Sequence, residues 1–198
     1  MTEAKERLDT TIGAMVSKSV PHRTIARRLF LYEFSQVFST NQDRGFSILN
    51  SICERFKLPF SAVKVVGSAH TGYSYFSQKD FVLGESDLDI AIISSSLFQH
   101  YAQEVYWLTY RYSDLSKFPR KGGLSVAQDF RNYLSCGHFR PDLMPDCALK
   151  TDWWGFFNRL SNEHSELFGN INAGVYLSEV FFEMKTASVV EEYRKAKK

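Results

Sequence analysis

Three cysteines among 198 residues are too few and too scattered to organise this chain. Cys53, Cys136 and Cys147 form no C-x-x-C pair and no zinc-ligand spacing, and their odd number implies no disulfide framework. That sets aside disulfide-stapled scaffolds and structural zinc modules, and it favours a reducing compartment. Long apolar runs are missing as well. No stretch approaches the roughly 20 residues that a membrane-spanning helix needs, and the opening MTEAKERLDTTIGAM lacks the apolar centre of a signal peptide. The expectation is a cytoplasmic chain with no membrane insertion. An excess of one charge is also lacking. The formal net charge is +2, too small to argue nucleic-acid binding by itself. RTIARR near the start and YRKAKK at the end are the clearest basic runs, and each reads first as a solvated helix face. Internal repeats, low-complexity tracts and clear linkers are absent.

What remains is ordinary globular material, 44% hydrophobic and 23% charged, in a length suited to one substantial domain. Residues 1–58 read as an N-terminal helical part and residues 61–198 as the core with its C-terminal helices. Glu3 to Ser19 predicts a helix, stopped before Pro21. HRTIARRLFLYEFSQVFS, residues 22–39, predicts a well-buried helix with Ile25, Leu29, Tyr32, Phe34, Val37 and Phe38 on a wide apolar face. A further helix follows, with Asn41 or Asp43 as N-cap and Phe46, Leu49, Ile52, Cys53 and Phe56 at helical spacing. AVKVVG and DLDIAII read as strands. SSSLFQHYAQEVYWLTYRY reads as a serine-capped helix with Leu97, Tyr101, Val105 and Leu108 inward. SKFPRKGG is a loop, LSVAQDFRNYLSCG a helix, and HFRPDLMPDCALKT irregular. A helix from about Asp152 precedes NINAGVYL, a candidate third strand, and a long terminal helix begins at Ser178 with charges that match its dipole. The fold class is α/β (α+β), a small mixed sheet wrapped by several helices. With 17 phenylalanines, most rings belong in the core and a few are left to stack on a base.

Chemistry concentrates between Val65 and Ile93. Residues two apart on a strand share a face, so Asp87 and Asp89 lie together, their Cα atoms roughly 6.6 Å apart. Two carboxylates at that spacing repel on a strand that otherwise reads as core, unless a cation neutralises them. Hard oxygen ligands select Mg²⁺ or Mn²⁺. Gly67-Ser68, at the end of the preceding strand, lets a ligand approach the backbone. Amides of a helical turn starting there, with the Ser68 hydroxyl, can receive phosphate oxygens. The plain alternative is a turn acid beside a cap acid, which leaves Asp89 without a partner. Ser86 either orients Asp87 or is a turn residue. His70 and Thr71 contact phosphates or are simply loop residues, His70 then exposed. Arg120, Lys121 and Arg140 lie in loops able to fold over a triphosphate. Arg159 reads as a surface group, Trp153 and Trp154 as core and interface rather than a base-stacking pair, and Tyr176 as core, with stacking on a base the alternative.

VVGSAHTG…GESDLDIAII resembles the Gly-Ser plus Asp-x-Asp signature of the DNA polymerase β-like nucleotidyltransferase superfamily. SSSLF, WWGFF and NAGVYLS are similar to pieces of short bacterial members, so the resemblance spans roughly residue 61 to the end. It implies a minimal polymerase β-like core in a single nucleotidyltransferase domain over residues 1–198. It implies catalytic and metal-binding Asp87 and Asp89 with Mg²⁺ or Mn²⁺. A nucleoside triphosphate would contact Gly67, Ser68 and Ser86, and the acceptor would be a nucleotide, an oligonucleotide or RNA. Antiviral defence signalling against phage, or a toxin that nucleotidylates RNA or protein, follows from the same resemblance. A small-molecule acceptor of the aminoglycoside type predicts an acidic pocket, which the slight basic excess does not support. Two departures stand out. The segment from Ser68 to Asp87 is longer than usual, and YSYFSQKDFVLGE reads as an inserted loop. Many members carry a third acid on a later strand, whereas NINAGVYL has none; Asp142, Asp146, Glu179 and Glu183 are the nearby acids. A non-catalytic nucleotide- or protein-binding module on a degenerate fold is the rival reading.

Overall fold

Branched side chains fit a pleated surface better than a helix, and the runs richest in them form the sheet. The computed structural model describes residues 2–197; Lys198, the last residue of the terminal basic run, lies outside them, as does Met1. In chain order the elements are helices α1 (Glu3–Ser17), α2 (His22–Arg27) and α3 (Gln42–Phe56); strand β1 (Val63–Val66); the short helix α4 (Gly67–Thr71); strands β2 (Tyr73–Ser74), β3 (Lys79–Asp80) and β4 (Leu88–Ile93); helix α5 (Ser95–Leu108); strands β5 (Arg120–Lys121) and β6 (Leu124–Ser125); helix α6 (Ala127–Ser135); strand β7 (His138–Phe139); helix α7 (Ala148–Glu163); strand β8 (Ile171–Tyr176); and helices α8 (Glu179–Thr186) and α9 (Ser188–Ala196). The protein is a mixed α+β structure around a four-stranded sheet in the order β1-β4-β8-β7. The central pair β4–β8 is parallel and the two outer pairs are antiparallel.

Alternation along the strands sorts side chains into two layers. Val63, Val65, Leu88, Ile90, Ile92, Ile171 and Val175 join a large core with α3, α5, α6 and α7, centred on Phe130, Phe139, Trp153 and Phe157. Ala91 and Tyr176 face the other way, onto a smaller core with Leu8 and Ile12 of α1, Ile25 of α2, Phe182 of α8 and Val190 of α9. Asp89 is in the same alternation set as Ala91, so it belongs to this second face. No helix among the described residues is long and apolar enough to cross a membrane.

Several elements differ from the sequence expectation. The helix expected over residues 22–39 stops after α2. A π turn over Arg28–Tyr32 and an extended Glu33 follow, and the next helical piece is a short 3-10 turn at Gln36–Phe38. The Ser35 hydroxyl donates to the Ala69 carbonyl (3.2 Å), drawing the chain across to α4. Tyr32 and Phe34 are consequently 82% and 91% exposed rather than inward. SKFPRKGG supplies β5 and the turn at Gly122-Gly123, where both φ angles are positive, and β6 takes the first two residues of the expected helix LSVAQDFRNYLSCG, which begins only at Ala127. HFRP supplies an edge strand, β7, and α7 starts four residues before Asp152. The terminal helix is divided at Ala187. The start of α5 is as expected: the Ser94 hydroxyl caps it by accepting from the Leu97 amide at 3.2 Å.

Ion pairs from the two basic runs are partly between helices and partly local, and the basic side chains in them stay partly exposed. Arg23 and Arg27 close on Glu183 of α8 at 2.7 and 2.5 Å, with Arg27 foremost in holding that carboxyl below its ordinary range. Arg28 pairs with Glu33, Lys195 with Glu192, and Lys197 reaches Asp9 of α1.

Candidate active site

In the antiparallel register Val66 stands opposite Asp89, so the end of β1 delivers Gly67 beside the acid. Gly67 has φ +66°, and a Cβ there would lie 2.8 Å from Asp89 Oδ2. Glycine is required twice over, for its backbone conformation and for the space it leaves. Gly67→Ala is therefore expected to lower stability by more than about 1 kcal/mol and to weaken any ligand contact at Asp89, checked by urea unfolding and by metal-dependent melting shifts. The chain turns at once into α4, whose opening amides have no acceptor within the helix. Gly67, Ser68 and Asp89 line one cleft of about 790 Å³, within the size range of small-molecule sites.

Asp87 and Asp89 are both solvent-accessible. Asp87 precedes β4, and its two oxygens accept from the side-chain amides of Asn170 (3.2 Å) and Asn172 (3.3 Å). Asn172 is directly opposite Asp89 on the parallel neighbour β8. The two asparagines, at the entry to β8, thus repeat the two-residue spacing of the acids at the entry to β4. This amide pair escaped the sequence reading, although the N-x-N spacing before an apolar run was its signal. Asp89 meets solvent in the cleft but is hemmed in by protein elsewhere. That surrounding protein, together with the charge of Asp87, pushes its carboxyl up to about 6, against the pull of Arg140.

Of the other expected residues, Arg140 and Asp142 line the same cleft, locked in a two-point ion pair of 2.7 and 2.6 Å. Arg120 and Lys121 lie on the β5–β6 hairpin and do not line it. Ser86 does not line it either; its hydroxyl accepts from the Val82 amide at 3.0 Å, and it opens on a neighbouring depression that it shares with Ser68. His70 is buried rather than exposed, with Nε2 2.5 Å from the Leu29 carbonyl oxygen, and burial lowers its pKa. The Thr71 hydroxyl donates to the Tyr73 carbonyl at 2.7 Å. Asp146 pairs with Lys150, Glu183 is buried under two arginines, and Glu179 is exposed at the start of α8. His138, unremarked in the sequence, lines the cleft and stacks on Tyr176 with centroids 4.2 Å apart. Burial, with Arg140 and Lys185 near it, pushes its imidazole down to about 4, so it is neutral at neutral pH.

Among the described residues no group of three or more His, Cys, Asp and Glu side chains is gathered to hold a metal ion. Two features nevertheless fit a hard divalent cation: two exposed carboxylates two residues apart at the start of β4, of which Asp89 lines the cleft and Asp87 does not, and the space left at Oδ2 of Asp89 by the missing Gly67 side chain. No protein-family model matches the chain, and neither does any curated protein or solved structure.

Proposed function

We propose that the protein is a metal-dependent nucleotidyltransferase. It would move a nucleoside monophosphate from an NTP or dNTP to a hydroxyl acceptor and release pyrophosphate. The observation that supports this most directly is the meeting of Gly67 and the start of α4 with Asp89 at the floor of one cleft. A bound Mg²⁺ or Mn²⁺, held by Asp87 and Asp89, supplies charge neutralisation at the phosphoryl group and a lowered pKa for the attacking hydroxyl. The α4 amides and the Ser68 hydroxyl bind phosphate oxygens. Arg140, which lines the cleft paired with Asp142, lends positive charge, and Asn170 and Asn172 fix the orientation of the Asp87 carboxylate. The acceptor we favour is a nucleotide or oligonucleotide, RNA included, in the setting of phage-defence signalling. Nucleotidylation of RNA or protein by a toxin uses the same donor chemistry.

Asn172, standing beside Asp89 where an acid would complete a third ligand, favours a second reading, a nucleotide-binding module without turnover. The deciding experiment incubates the protein with the common NTPs and dNTPs and Mg²⁺ or Mn²⁺, resolves products by mass spectrometry, and measures pyrophosphate. Asp87→Asn is expected to reduce turnover at least about 100-fold. Unchanged incorporation by that variant defeats the proposed mechanism. Tight triphosphate binding with no pyrophosphate across a broad acceptor screen selects the module.

A further inference from the structure

The segment between Ser68 and Asp87 contains a short ordered hairpin. β2 and β3 pair Tyr73 with Asp80 and Ser74 with Lys79, leaving a four-residue loop at residues 75–78. Its base is fixed from three sides. The Tyr75 hydroxyl donates to Asp9 of α1 at 2.5 Å, the Thr2 hydroxyl donates to Asp80 at 2.5 Å, and the Phe81 amide donates to the Gly72 carbonyl at 2.9 Å. Within the loop the Ser77 amide donates to Ser74 Oγ at 3.2 Å, and Gln78 takes φ +54°. Tyr75 is turned inward, 4% exposed, with its ring edge-on to Tyr73 and Tyr193. With Tyr75 held inside, the next residue is thrown outward, and Phe76 is 88% exposed.

An isolated exposed phenylalanine on a convex surface needs no explanation. Phe34, 91% exposed, does not line the cleft that holds Asp89. Phe76 differs because it lines the cleft that also holds Gly67, Ser68 and Asp89. One cleft thus holds the Asp89 carboxylate with Gly67 and Ser68 at one part of its lining and the exposed Phe76 side chain, on a tethered hairpin, at another. Planar bases stack on aromatic faces whatever their sequence, because every base has a π face.

We infer that Phe76 is the stacking platform for the nucleobase of the bound nucleotide, and that the β2–β3 hairpin is a wall of the substrate site. The inference rests on the nucleotide-binding part of the function proposed above but not on turnover. The test measures binding of ATP, UTP and base-free inorganic triphosphate, each with Mg²⁺, by calorimetry. Phe76→Ala is expected to weaken ATP and UTP binding by roughly 5- to 150-fold, the range of base–aromatic stacking, while triphosphate binding stays within twofold. Phe76→Tyr restores nucleotide binding. Phe76→Trp adds a fluorescence signal quenched by ATP and not by triphosphate, and Phe34→Ala changes nothing. If Phe76→Ala binds ATP as the wild type does, or loses ATP and triphosphate equally, stacking is refuted while the active-site reading stands. If the wild type binds no nucleotide, both fall together.

Discussion

Asp89→Asn is expected to make the metal-free protein more stable and to abolish transfer. The surroundings of Asp89 favour its neutral form, with the carboxyl raised from 3.8 to about 6. A rise of that size corresponds to at most about 3 kcal/mol against the ionised state. The side chain meets solvent in the cleft, and screening there leaves on the order of 1 kcal/mol. The sign follows from proton linkage. Between about pH 4 and 6 the folded protein holds the Asp89 proton more tightly than the unfolded chain, so this group's contribution falls as pH rises, and the full penalty persists above pH 6. Asparagine removes that penalty. The gain of Asp89→Asn over wild type should be near zero at pH 4 and about 1 kcal/mol at pH 7, measured by urea unfolding of both proteins at each pH. Mg²⁺ or Mn²⁺ should raise the melting temperature of the wild type, less so as pH drops below 6 and Asp89 protonates, and should not raise that of the variant. Equal stability at pH 7, or an undiminished metal shift in the variant, would contradict this account.

Trp153→Ala is expected to cost about 3–5 kcal/mol. Trp153 is 2% exposed and packs against Phe157, Phe56 and Tyr101 with centroids at 4.8, 5.1 and 5.7 Å. Removing the indole leaves a void where α3, α5 and α7 meet behind the sheet. The damage should also reach the site. α7 carries Ser161, whose hydroxyl accepts from the Ile171 amide at 2.8 Å, one residue before Asn172. A loosened α7 therefore frees the start of β8 and the amides that hold Asp87. The expected result is a lower urea midpoint with faster hydrogen exchange at Ile171 and Asn172. A variant that keeps its stability but loses nucleotide binding would instead make Trp153 a ligand contact.

The strands were legible because β-branched runs are local properties, and two-residue alternation places Asp89 on the face of Ala91; Asp87 lies just before β4 and does not line the cleft that Asp89 lines. The Gly67-Ser68 junction was legible too. What escaped depends on partners far along the chain. Tyr32 and Phe34 carry the right apolar character for a buried helix, yet the helix is ended by a pull toward α4 that no helical periodicity records. β7 is two residues long, too short for any pattern, and exists because β8 offers it an edge. Arg140 and His138 reach the cleft only through that edge. Asn170 and Asn172 look like ordinary polar residues until the parallel register puts them against Asp87. The long segment before Asp87 reads as a loop by composition, and its hairpin becomes visible only with the contacts to Asp9 and Thr2.

The pairing of β4 with β8 also dictates an order of events during synthesis. Asp87 and Asn172 are 85 positions apart and meet only in that pairing. Closing so long a loop is slow relative to local structure. A nascent chain that has completed β4 therefore carries both acids without either amide, and β4 lacks its central neighbour until the ribosome has passed Tyr176. The arrangement that orients Asp87 is among the last to form, so incomplete chains do not carry the assembled site.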